Sequence, residues 1–256
     1  MSYNFNGKVA LVTGGANGIG ICMVRELLKN GVKGVVMADV NSTLGEKYSK
    51  ELGDKVYFMK VDVTNKQQLE SAFKMAFTKF GGLDIVCNNA GIFDEVNWEM
   101  TIAVNINAVV QGTLLGFQYM GKDKNGKGGV IVNTGSILGL QAIASGPVYS
   151  GTKHFVVNFD RAFGTPFYYD RTGVKVVTIC PGITDTILLK QVKGLEAFDG
   201  LTKYANDQLM AMPLQPAENV ARGMITAISQ GENGSAWVAA LNKPAYEEKA
   251  PKPTFV

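Results

Sequence analysis

Histidine and cysteine are scarce in this chain of 256 residues: His154 is the only histidine, and Cys22, Cys87 and Cys180 are the only cysteines. No metal site is expected. The three cysteines have no metal-ligand spacing, and each sits in an apolar stretch, so they read as buried, reduced thiols suited to a cytoplasmic protein. Proline occurs eight times without forming a rich linker, and no repeat or compositional break divides the chain, so one domain spanning 1–256 is expected. No charge of one sign dominates. Twenty-five Lys and Arg oppose twenty-two Asp and Glu, for a net charge of +3, too little to recruit nucleic acid or an anionic membrane. Nor does any run approach the ~18 apolar residues of a membrane span. Residues 1–8 carry no apolar leader, and the chain ends Pro-Thr-Phe-Val, so cytoplasmic residence is the expectation.

What the chain does have is 46% hydrophobic residues in an alternating order. Short β-branched runs at Lys8–Thr13, Gly34–Asp39, Val56–Val61, Asp84–Asn88, Gly129–Thr134 and Val174–Cys180 read as strands. Helical patterns lie between them. From Leu69 onward, Leu69, Ala72, Phe73, Ala76, Phe77 and Phe80 fall on one helical stripe able to cover a sheet face. Strands alternating with such helices predict an α/β fold of the Rossmann type, with helices on both faces of a parallel sheet. The stretch Gly121–Gly129, rich in glycine and lysine, reads as an exposed connection.

After the first strand comes Thr13-Gly14-Gly15-Ala16-Asn17-Gly18-Ile19-Gly20, leading into a helix. Glycines let the backbone turn tightly and approach a pyrophosphate, whose charge a helix N-terminus favours. The second strand ends in Asp39, 19 residues after Gly20, where a carboxylate can accept from both ribose hydroxyls and repel a 2′-phosphate. Neither Gly15 nor Val40 supplies a base for such a phosphate, so NAD is the expected cofactor. Asp62-Val63 and Asn88-Asn89-Ala90-Gly91 close the third and fourth strands at the same sheet edge. Alone, Asp62 could cap the next helix, and the asparagines could stabilise a turn.

Tyr149 and Lys153 are four apart in a helical stretch and share a face. An ammonium beside a phenol favours phenolate and lowers the phenol pKa, fitting Tyr149 for proton exchange with an alcohol while hydride moves to a nicotinamide. Ser136, after the fifth strand, supplies a hydroxyl for the substrate oxygen. Asn105 can support Lys153 through a water. His154 directly follows Lys153 but points about 100° away around the helix, so it reads as a structural or surface residue.

Together, Thr13-Gly14-xxx-Gly18-Ile19-Gly20, Asn88-Asn89-Ala90-Gly91, Ser136, Tyr149-Ser150-Gly151-Thr152-Lys153 and Pro181-Gly182-Ile183-Thr184-Asp185-Thr186 resemble the short-chain dehydrogenase/reductase signature. The resemblance covers nearly the whole chain. Thr101–Asn105, Pro147–Lys153 and Gln215–Asn219 are similar to insect alcohol dehydrogenases, Tyr119–Asp123 to insect photoreceptor-type dehydrogenases, and Asn97-Trp98-Glu99 to 15-hydroxyprostaglandin dehydrogenases. One departure is that this chain has Ser145-Gly146 where prostaglandin dehydrogenases have glutamine before Pro-Val-Tyr, which argues against prostaglandin oxidation.

The resemblance implies a seven-stranded sheet and a tetrad of Asn105, Ser136, Tyr149 and Lys153, of which Tyr149 and Lys153 would also contact the cofactor, Lys153 at the nicotinamide ribose. It puts Gly14, Gly18, Ile19 and Gly20 around the pyrophosphate and Asp39 on the ribose. Asp62 and Val63 would border adenine, Asn89, Ala90 and Gly91 would line the ribose path, and Pro181, Gly182, Ile183 and Thr186 would hold the nicotinamide. It further implies a lid over residues 184–215 and a homodimer or homotetramer. Apolar lid residues, among them Ile187, Leu188, Leu189, Val192, Leu195, Phe198 and Met212, point to a hydrophobic secondary or allylic alcohol or its carbonyl. Apolar side chains on several faces of the helices 98–120 and 149–168 point to a helix-to-helix interface between copies. The alternative is a non-catalytic binding or storage protein of the same fold, which would be expected to lose part of the tetrad; here it is complete. An RNA-binding reading lacks any basic-aromatic strip.

Overall fold

A computed structural model describes residues 3–190, 200–201, 203–204, 207 and 213–250. Its centre is one eight-stranded sheet in the order β3-β2-β1-β4-β5-β6-β7-β8. The strands are β1 (Val9–Thr13), β2 (Gly34–Asp39), β3 (Val56–Lys60), β4 (Ile85–Asn88), β5 (Gly129–Thr134), β6 (Val174–Pro181), β7 (Ala236–Ala239) and β8 (Tyr246–Glu248). All neighbouring pairs are parallel except β7 with β8, which is antiparallel. The expected seven parallel strands are thus joined by a short antiparallel edge strand, too brief and too exposed to carry an apolar pattern.

Each strand sends alternate side chains to opposite faces. Ala10 and Val12 of β1 go to one face with Val35, Met37, Val130 and Val132. There α1 (Gly18–Lys29) and α9 (Ala217–Gln230) cover them with Met23, Leu27, Val220, Met224 and Ile228. Val9 and Leu11 go to the other face with Val36, Val86 and Ile131. On this side lie α3 (Lys66–Phe80) and α5 (Ala108–Met120), whose Leu69, Phe73, Leu115 and Met120 are buried. Each fully buried Leu, Met or Phe contributes about 1.5–3 kcal/mol, so both faces are strongly held. Phe77, expected on the α3 stripe, is instead 40% exposed, at its edge against Tyr119.

Three boundaries move for identifiable reasons. β1 begins at Val9 because Asp84 takes Val9 N–H with one oxygen and Lys8 Nζ with the other, both at 2.9 Å. The expected helix 98–120 divides into α4 (Trp98–Ile102), a π-helical stretch Ala103–Asn107, and α5. Together these are long and apolar enough to cross a membrane, but half of the most apolar window is buried inside the protein, as in a core helix. The expected helix 149–168 is α6 (Pro147–Phe163) followed, after Gly164-Thr165, by α7 (Pro166–Thr172). Pro166, with no N–H, ends one helix and starts the next.

α2 (Ser42–Leu52) packs beside β3, and α8 (Ile187–Lys190) follows β6. Of the expected lid residues, Val192, Leu195, Phe198 and Met212 lie outside the described residues. The two feet of that segment are joined by a parallel bridge between Thr184 and Gln215. Buried Gln215 donates to Ala239 O at 2.7 Å and to Thr184 Oγ1 at 3.2 Å.

Candidate active site

The sheet order reverses between β1 and β4, opening a crevice at the strands' C-terminal ends, where open α/β sheets bind ligands. A cleft of about 490 Å³ occupies it. Every expected site residue lines this cleft except Gly20 and Asn105, and both of these lie directly behind the wall.

At one end the wall is mostly backbone. Gly14 has φ +60°, and a Cβ there would approach Ala90 Cα to 2.9 Å. A Cβ on Gly20 would collide with Gly14 O, so Gly20 allows α1 to sit against the turn. Asn89 Nδ2 donates to Thr13 O and Gly14 O at 3.1 and 3.2 Å, and Thr13 Oγ1 accepts from Asn89 N–H and Ala90 N–H at 3.0 and 3.2 Å. Asn89, Ala90 and Gly91 are therefore locked onto the glycine turn. Asn17 caps α1.

Asp39 is buried at 8% exposure. Its Oδ2 accepts from Ala16 N–H at 3.0 Å and its Oδ1 from Asn41 N–H at 2.9 Å. Each carboxylate oxygen accepts more than one hydrogen bond, so this fixed group keeps capacity for ribose hydroxyls, and the glycine cradle fits a dinucleotide. Asp62 forms a turn, accepting from Thr64 N–H and Oγ1 at 2.9 and 2.7 Å. Capping of α3 falls to Asn65.

At the other end the wall is side chain. Tyr149 and Lys153 occupy one face of α6, with Nζ 5.6 Å from the phenol ring centre. Lys153 is 4% exposed, and its Nζ donates to Thr134 O at 2.8 Å. Ser136 begins a single 3₁₀ turn at Ile137–Gly139; its Oγ accepts from Leu138 N–H at 3.1 Å and also meets the Tyr149 phenol. Burial pushes the Tyr149 phenol up to about 12, against a smaller lowering by the Ser136 hydrogen bond. Burial also lowers Lys153 to about 8. The Tyr149 phenol thus lies above its ordinary value rather than below it as expected, because removal from water disfavours the phenolate and is the largest influence on it.

Asn105 does not approach Lys153 directly. It sits in the π-helical stretch, fully buried, accepting from Ile92 N–H at 3.0 Å and donating to Ile92 O and Thr152 Oγ1 at 2.9 and 3.2 Å. A π-bulge redirects one side chain out of a helix's ordinary register, and here it delivers Asn105 to the loop after β4. Gly91 separates the two groups: a Cβ on it would lie 3.4 Å from Asn105 Oδ1 and 3.6 Å from Lys153 Nζ. His154 Nδ1 engages Ser150 O at 2.9 Å on the exposed side of α6.

Other functional features were not anticipated. Phe93, Val104, Ile137 and Leu138 join the expected Ile187 and Leu188 in an apolar wall at the Tyr149 end of the cleft. Behind it, Asn88 Nδ2 donates to Asn133 Oδ1 at 2.8 Å, Asn133 Nδ2 to Asp160 Oδ1 at 2.6 Å, and Thr178 Oγ1 to Asp160 Oδ2 at 2.6 Å. Asn88 thus ties β4 to β5 and helix α6. Burial raises Asp160 to about 7 despite these two donors. Its place seven residues after Lys153 on the same helix face was the one available clue.

Comparison with known proteins agrees with this geometry. Residues 8–197 match the family model described as short chain dehydrogenase. The mouse 15-hydroxyprostaglandin dehydrogenase [NAD(+)] is 39% identical over 87% of this chain and 86% of its own. Alcohol dehydrogenase 1 of Ceratitis capitata is 34% identical over 91% of each. Among solved structures, the 3-ketoacyl-(acyl-carrier-protein) reductase of Brucella melitensis complexed with NADH superposes with a TM-score of 0.80 at 25% identity, covering 92% of this chain and 98% of that one. By sequence, sheet order and the layout of the cleft, the chain belongs to the short-chain dehydrogenase family.

Proposed function

We propose that this protein is an NAD-dependent oxidoreductase interconverting a hydrophobic secondary or allylic alcohol and its carbonyl. The observation that carries the reading is the convergence of Ser136, Tyr149 and Lys153 at one end of a cleft whose other end holds the fixed carboxylate of Asp39. Gly14, Gly18 and Ile19 would face the pyrophosphate, Asp39 the ribose hydroxyls, and Pro181, Gly182, Ile183 and Thr186 the nicotinamide. Bound NAD supplies the acceptor for the hydride leaving the alcohol carbon. Tyr149 takes the hydroxyl proton during oxidation and returns one during carbonyl reduction. Ser136 Oγ holds the substrate oxygen, and Lys153, anchored on Thr134 O, supports the charge that develops on the phenol. Asn105 acts one layer back by fixing Ile92.

The apolar wall supports a hydrophobic substrate. Each buried methylene contributes about 0.8 kcal/mol, so in a series of secondary alcohols kcat/KM should rise a few-fold per carbon until the wall is covered. A flat or falling series would reject this substrate class. The chain would work as one domain in the cytoplasm, with residues 184–215 as its lid. It would pair as a homodimer through the face bearing Leu114, 48% exposed, and Phe155, 36% exposed; light scattering that finds only monomer would reject the pairing.

A further inference from the structure

Helix α6 lacks an N-terminal cap of its own. Gly146 has no side chain to offer and Pro147 no N–H. The next two donors are taken by Glu95, more than fifty residues earlier: Val148 N–H donates to Oε2 at 3.0 Å and Tyr149 N–H to Oε1 at 2.8 Å. A carboxylate in this place also meets the positive end of the helix dipole. Two residues before Glu95, the Phe93 ring lies flat on the Tyr149 ring, with centres 4.2 Å apart and planes 3° from parallel. Gly146 makes this possible, because a Cβ there would come within 2.5 Å of Phe93 Cζ.

The loop carrying both residues is itself fastened. Asn105 holds Ile92 by its N–H and its carbonyl. Thr101 Oγ1 donates to Asp94 O at 2.7 Å, and Asp94 Oδ1 accepts from Val96 and Asn97 N–H at 3.1 and 2.9 Å. Tyr149 is therefore gripped twice from one rigid loop, at its backbone and at its ring.

We infer that Glu95 and Phe93 are positioning residues for Tyr149, a role that rests on the assignment of Tyr149 as the proton-transfer group. Glu95 sets where the residue enters the helix, and Phe93 sets the plane of the phenol and with it the direction of the hydroxyl. Proton and hydride transfer both require near-attack geometry, and a misplacement of about 1 Å costs up to roughly 100-fold in rate.

The test uses the full chain with saturating NAD and a hydrophobic secondary alcohol. In Glu95→Ala and Phe93→Ala, kcat should fall about 10- to 100-fold, with the NAD dissociation constant, measured by calorimetry, nearly unchanged. Glu95→Gln keeps one acceptor oxygen but turns an amide NH2 toward the second backbone N–H, so it should recover only part of the loss, whereas Phe93→Tyr retains the ring and should recover most of it. Hydrogen exchange at Val148 and Tyr149 should accelerate in Glu95→Ala and stay slow in Phe93→Ala. Wild-type kcat in the alanine variants would overturn the inference. So would loss of kcat and NAD affinity in equal proportion without recovery by the conservative variants, since that marks a merely structural role. A wild-type protein that binds NAD but turns over no alcohol or carbonyl would instead reject the proposed function. In that event the exchange arm still judges the clamp, which fast exchange at the two wild-type amides would overturn.

Discussion

The two ends of the cleft are built differently. The dinucleotide end is local: a continuous turn from Thr13 to Gly20 and one carboxylate on the adjacent strand, shaped by backbone hydrogen bonds. The end proposed for catalysis is assembled from the loop after β4, the π-helical stretch, the turn after β5 and helix α6, held by side chains whose partners lie far away in sequence. Under the proposed function, the difference suits them to different tasks. A shared cofactor needs close backbone approach, whereas chemistry needs side chains fixed in direction by packing. Substitutions at the first end should therefore change affinity, and those at the second should change turnover.

The largest effect expected from that contrast, apart from loss of the phenol hydroxyl, is at Lys153. Lys153→Met removes the buried ammonium and its bond to Thr134 O, and kcat should drop roughly 100-fold or more. Steady-state kinetics with NAD titration would show it, and unchanged kcat would erase the distinction between the two ends.

Next comes Asp39→Ala, which removes a charged acceptor. NAD should bind about 10-fold more weakly or worse, and the gap between NAD and NADP should narrow, with kcat at saturation nearly preserved. Equal calorimetric affinities of the wild-type protein for NAD and NADP would contradict the role of Asp39.

A smaller effect concerns the buried layer behind both ends. Asp160 has its folded pKa raised from 3.8 to about 7, so the folded state holds this proton more tightly than the unfolded chain does. Its contribution is thus fully present at low pH and is lost as pH rises through about 7. Asp160→Asn keeps the shape without the charge. Its melting temperature should exceed wild type by several degrees near pH 8, at about 2–4 °C per kcal/mol, and the advantage should shrink toward pH 5. A constant difference across this range would mean that Asp160 is not the titrating group.

The same division explains what could be read from the chain. Apolar runs and glycine spacing gave six strands nearly to the residue, the turn at Gly14–Gly20 and Asp39, because each depends on neighbours in sequence. β7 and β8 were not visible: Ala236–Ala239 and Tyr246–Glu248 are too short to show a period. The expected tetrad rested only on a combination of motifs, since a tyrosine four residues before a lysine is ordinary on any helix. Glu95 could not have been found, because nothing in its own segment signals that it caps a helix beginning at Pro147. Nor could the pKa of Tyr149, which depends on burial by Phe93, Leu138 and Ile143.

Under the proposed function, Tyr149 moves a proton at one end of the cleft while the other end binds NAD independently. The most direct test follows reduced-nicotinamide absorbance with NAD and a hydrophobic secondary alcohol, comparing wild type with Tyr149→Phe, alongside calorimetric NAD binding for both. Wild type should turn over, the variant should lose about 10²- to 10⁴-fold, and the two NAD affinities should agree within a few-fold. Equal turnover by both proteins would contradict this role of Tyr149.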